Sequence, residues 1–81
     1  MNRDEIINAI RTVGGRVSPK GEIKSPLGFV LATVDRDKIA TAEGIRIINA
    51  DIYSIDNNWG NLEFNDKDGN ILMSIPRAIR R

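Results

Sequence analysis

Apolar residues at the start of the chain recur with helical spacing. Ile6, Ile7, Ile10 and Val13 share one face with Ala9 beside them, while Arg3, Asp4, Asn8 and Arg11 fall elsewhere. This predicts an amphipathic helix over residues 3–13. Asn2 suits the N-cap, and Glu5 three residues later completes a capping box. Gly14-Gly15 supplies the left-handed stop.

The pattern then shortens. Ser18-Pro19-Lys20-Gly21 has Pro and Gly where a tight turn wants them, so short strands near Arg16-Val17 and Glu22-Lys24 are expected to form a hairpin around it. Ser25-Pro26-Leu27-Gly28 breaks the chain again, and Phe29 to Val34 reads as a buried strand. Asp35 to Ala42 fits two readings equally: a short helix capped by Asp35 with Ile39 and Ala42 facing inward, or a plain loop.

Residues 45–75 read as a β-meander. Ile45, Ile47, Ile52 and Ile55 mark one or two strands interrupted near Asn49-Ala50-Asp51. Asp56-Asn57-Asn58 and Gly60-Asn61 are turn chemistry around Trp59. Leu62 and Phe64, then Ile71, Met73 and Ile75, alternate with period two across the turn Asp66-Lys67-Asp68-Gly69. The fold class is therefore α+β: an N-terminal amphipathic helix packed on a small, mostly antiparallel β-sheet of about five short strands that ends in a C-terminal β-meander. One domain spans residues 1–76, and residues 77–81 form a basic tail. No internal repeat stands out.

Composition narrows the chemistry. The 81 residues carry 12 Lys and Arg against 11 Asp and Glu, with neither His nor Cys. Disulfides, Cys/His zinc sites, thiol catalysis and histidine acid–base chemistry are excluded. No segment is long and apolar enough to span a bilayer, and residues 1–20 lack a signal-peptide core. A cytoplasmic protein without membrane association is the expectation. Ile supplies 13 residues and aromatics only four, a set that favours stiff strands. A chain of this size has a modest core, and Ile-rich strands leave unpaired edges, so a homo-oligomer is one expected outcome.

Each candidate site competes with a plainer account. Asp66-Lys67-Asp68-Gly69-Asn70 resembles a calcium loop until positions one and twelve are counted back from Gly69. These are Phe64 and Ile75, which cannot serve as ligands, so a hairpin turn is the better account. Asp56, Glu63, Asp66 and Asp68 read as solvated carboxylates rather than a catalytic pair. The serines at 18, 25, 54 and 74 have no motif around them. No enzyme activity, metal or cofactor is expected.

Two interaction surfaces remain. Trp59 sits among Asn57, Asn58, Gly60 and Asn61. A lone large aromatic in a small domain more often folds back over the core, but on a polar turn it also suits a protein-binding anchor. Trp59, Asn58, Asn61 and Tyr53 are the candidate protein contacts. The other surface is basic. Arg77, Arg80 and Arg81, extended by Arg16, Lys20 and Lys24 if the first hairpin folds beside the tail, would contact phosphates of a nucleic acid. A sequence pI near 8.1 is low for that role. The expected function is a small non-enzymatic regulatory or accessory module that binds a protein through an exposed sheet face or edge, with a nucleic-acid-binding module as the alternative.

Overall fold

The computed structural model describes residues 1–76; Arg77, Arg80 and Arg81 lie outside the described residues. Helix α1 covers Arg3–Thr12. Its capping box is complete, with the Glu5 N–H donating to Asn2 Oδ1 at 2.9 Å and the Asn2 N–H donating to Glu5 Oε1 at 2.8 Å. Ile6, Ile7 and Ile10 form its buried face, as the spacing required.

Eight short strands follow: β1 (Arg16–Val17), β2 (Glu22–Lys24), β3 (Val30–Asp35), β4 (Lys38–Thr41), β5 (Arg46–Ile48), β6 (Ser54–Asn58), β7 (Asn61–Asn65) and β8 (Ile71–Ile75). The α+β class and the closing meander match the sequence pattern. The strands divide into two antiparallel sheets, in the orders β1-β2-β3-β4-β5 and β6-β7-β8. A single 3-10 turn, Asn49–Asp51, joins them at the interruption seen in the sequence. Both sheets and the helix share one apolar cluster, including Ile10, Ile23, Val34, Ile39, Ile55 and Phe64.

Four of the hairpin turns are built alike. At residues 18–22, 25–29, 41–45 and 66–70, the first N–H donates to the fifth carbonyl and the fourth N–H to the first carbonyl. The fourth residue is always Gly, at φ between +84° and +93°. That is a turn closed by a left-handed glycine bulge. In three of them a side-chain oxygen of the first residue also accepts the fifth N–H: Ser18 from Glu22, Ser25 from Phe29 and Asp66 from Asn70. The fourth begins with Thr41, whose buried hydroxyl has no hydrogen-bond partner.

Three local expectations change. Asp35 to Ala42 is neither helix nor loop. Asp35 pairs with Lys38 around a two-residue turn in which Arg36 takes φ +55°, so the segment is a β-hairpin. Ile39 is buried but Ala42 is exposed. Asn57 and Asn58 are not in a turn but extend β6, paired with Leu62 and Asn61. The run from Phe29 is only half a core strand, since Phe29 and Val30 are 52% and 48% exposed. β3 buries Ala32 and Val34 on one face; Val30 has their parity, but the register shift against β2 that inserts Leu31 takes it off that face, and Phe29 lies before the strand.

Candidate functional site

Trp59 and Gly60 are the whole of the β6–β7 turn, at φ +57° and +87°. Two successive positive φ values define the hairpin turn that matches strand twist, and its first central position normally holds Asn, Asp or Gly. A bulky L-residue there is strained by about 1–2 kcal/mol. Asn57 fixes the turn from both sides. Its Oδ1 accepts the Gly60 N–H at 2.6 Å, and its Nδ2 donates to the Val13 carbonyl at the end of α1 at 2.8 Å. Trp59 does not fold back over the core; it is 90% exposed, the most exposed large apolar residue described.

Gly60 also borders a cleft of about 350 Å³ between the two sheets. Gly14 and Gly15 line it, with Leu31, Leu62 and Ile75 giving apolar wall and Arg16 and Lys24 giving charge. Leu31 reaches the core because the β2–β3 register shifts, leaving it as the extra residue of β3. Arg16 and Lys24 are direct cross-strand partners. Like charges in that arrangement repel. Each has one partial outlet: Arg16 Nη1 donates to the Pro26 carbonyl at 3.1 Å, and Lys24 Nζ lies 4.0 Å from Glu22.

The end of the larger sheet beside this cleft is apolar. The β2–β3 and β4–β5 turns both lie there, carrying Leu27, Phe29, Val30 and Ile45 at 48% to 71% exposure. The sequence pattern missed this group. The signal available was Leu27 inside a Ser-Pro-Leu-Gly turn, where an apolar side chain has no core to enter.

The other candidates separate. Asn58 and Asn61 pair beside Trp59, and the Asn58 amide donates to Glu63 Oε2 at 3.2 Å. Tyr53 lies at the far end of β6, 68% exposed, by a second hollow lined by Met1, Asp51, Asp66 and Asp68. Lys20 sits in the β1–β2 turn, at the opposite end of that hairpin from Arg16 and Lys24. Of the basic set, Arg16 and Lys24 converge on the cleft. The chain also reaches the cleft at Pro76, the last described residue.

Among the described residues no group of three or more His, Cys, Asp or Glu is placed to hold a metal ion, and no helix is long and apolar enough to cross a membrane. The titrating group with a clear shift is Asp66. It is held below its ordinary carboxylate value by hydrogen bonds from the Asn70 backbone and side chain, then from the backbone of Asp68 and Gly69. No family model, curated protein or solved structure matches the chain.

Proposed function

We propose that this chain is a non-enzymatic protein-binding module whose contact surface is the Trp59 turn and the cleft beside it. The observation that carries this is the conformation of Trp59. A turn that needs positive φ at no cost uses Gly or Asn, and here the strained position holds the largest side chain, braced by Asn57 and turned to solvent. Strain kept at an exposed aromatic serves contact rather than folding. The apolar group at Leu27 and Phe29 and the opposed cations Arg16 and Lys24 suit a partner segment that is apolar and acidic, since an incoming carboxylate relieves their repulsion.

The test is Trp59→Gly. Removing the left-handed strain should raise stability by roughly 0.5–1 kcal/mol in urea unfolding, because the indole is barely packed. The same substitution should abolish capture of the partner from source-cell lysate under nuclease. Equal capture by wild type and variant refutes the assignment. Capture that nuclease removes, with affinity falling steeply in salt, favours the nucleic-acid alternative. That alternative draws support from Arg16 and Lys24 lying in one cleft with an exposed indole close by for base stacking.

A further inference from the structure

We propose that the β5 edge pairs antiparallel with the β5 edge of a second copy, joining the two larger sheets. Among the described residues the two sheets have four edges, and three are guarded. β1 has only two residues, and its Val17 carbonyl accepts Arg11 Nη2 at 3.0 Å. β6 is tied to the helix end through Asn57 and Val13. β8 carries a register irregularity at one end, opposite Asn65, and Pro76 at the other. Bulges, prolines, shortness and cover are the devices by which edges avoid pairing.

β5 has none of them beyond its three-residue length and one charge. Its register with β4 is regular, pairing Lys38 with Ile48, Ile39 with Ile47 and Ala40 with Arg46. The flanking bonds fix which groups face outward. Thr41 donates to Ile45 on one side and Asn49 to Asp37 on the other, so the odd-numbered residues turn their N–H and C=O toward β4. Arg46 turns both of its groups away and Ile48 its N–H, while the Ile48 carbonyl opens the 3-10 turn Asn49–Asp51.

The edge is self-complementary about Ile47. A two-fold axis there sets Arg46 opposite Ile48 of the second copy and Ile48 opposite its Arg46, so each Ile48 N–H donates to the Arg46 carbonyl of the other copy, two backbone hydrogen bonds across the axis. No charge then stands directly opposite a like charge. The two Ile47 side chains meet on the core face, each beside the buried Ile39 of its own sheet. On the outer face each Ile48, 46% exposed alone, lies along the stem of an arginine. A contact this short makes a weak dimer that forms with rising concentration.

The full chain tests this. Light scattering should give a mass that climbs from 9.0 kDa toward twice that value at millimolar concentration, with the Ile48 amide gaining hydrogen-exchange protection in step. Ile48→Pro removes an outward donor without touching the β4 ladder, and the native φ of −83° nearly suits proline. Ile48→Lys sets a lysine against the arginine of the second copy and keeps every backbone bond. Both variants should stay at 9.0 kDa under conditions where wild type associates. Trp59→Gly should associate as wild type does, which separates this edge from the partner surface. A wild-type mass that remains 9.0 kDa at every concentration overturns the proposal. So does a dimer that survives both Ile48 variants, or one that Trp59→Gly dissolves.

Discussion

Replacing Gly21 with Ala separates two costs that glycines usually carry together. Gly21 closes the β1–β2 turn at φ +91°, and Gly28 closes the β2–β3 turn at φ +93°. The backbone penalty for a Cβ is therefore the same at both. The surroundings differ. A Cβ on Gly28 would meet nothing within 4 Å, whereas one on Gly21 would lie 2.6 Å from the Val34 carbonyl oxygen. That oxygen belongs to a central strand, and the neighbouring Val34 N–H donates to the Gly21 carbonyl at 2.8 Å, so retreat on one side breaks a bond on the other. Gly28→Ala should cost roughly 0.5–1 kcal/mol, the left-handed strain less the entropy removed from the unfolded chain. Gly21→Ala should add about 1–3 kcal/mol of overpacking to that. Against a total stability of about 4–12 kcal/mol for a chain of this length, the difference is easily resolved by urea unfolding with a shared m-value. Equal midpoints for the two variants would refute the close approach of the turn to β3.

Asp66 predicts an acid limb. Its folded pKa is depressed, so its contribution to stability is complete above the ordinary value of 3.8 and is lost as pH falls through the lower folded value. Asp66→Asn should flatten stability against pH in that range while leaving neutral-pH unfolding less affected, since an amide oxygen still accepts the Asn70 N–H. Asp56 and Glu63 stand directly opposite each other on β6 and β7. The Asn65 amide donates to Asp56 and the Asn58 amide to Glu63, which softens the repulsion without removing it. Glu63→Lys should raise stability by about 0.2–1 kcal/mol at low ionic strength, a gain that thermal unfolding in high salt should reduce.

The helix, its capping box and the glycine turns at Gly21, Gly28 and Gly69 were legible because each rests on residues a few positions apart; the turn at Gly44 was not, since it follows a stretch that reads as helix or loop. The Asp35–Lys38 hairpin was not, because its turn residue is Arg36, which carries no turn signature; cross-strand pairing of Val34 with Ile39 holds it there. The split into two sheets was hidden too. The break at Asn49-Ala50-Asp51 was visible, but not that it divides two sheets; the bonds from Asn49 to Asp37 and Arg36 show that the chain leaves the first sheet there. At the candidate site, Trp59 was legible as a residue of interest but neither in its backbone conformation nor in its exposure, since a lone large aromatic in a small domain more often folds back over the core and here does not. Arg16 and Lys24 meet the cleft through cross-strand register, which sequence spacing alone does not fix.

Every strand in both sheets pairs with its neighbour in the chain. Each ladder can therefore close through a loop of a few residues, on the microsecond scale of an isolated hairpin rather than the slower scale of distant β pairing. What remains non-local is the packing of the helix and the two sheets on one another: the helix end is tied to β6 across 44 residues, and its isoleucines share one cluster with both sheets. Refolding of this chain is thus a matter of docking one amphipathic helix onto two ribbons that assemble independently. Truncating Ile6 or Ile10 will slow folding, while a damaged turn far from the helix will chiefly speed unfolding.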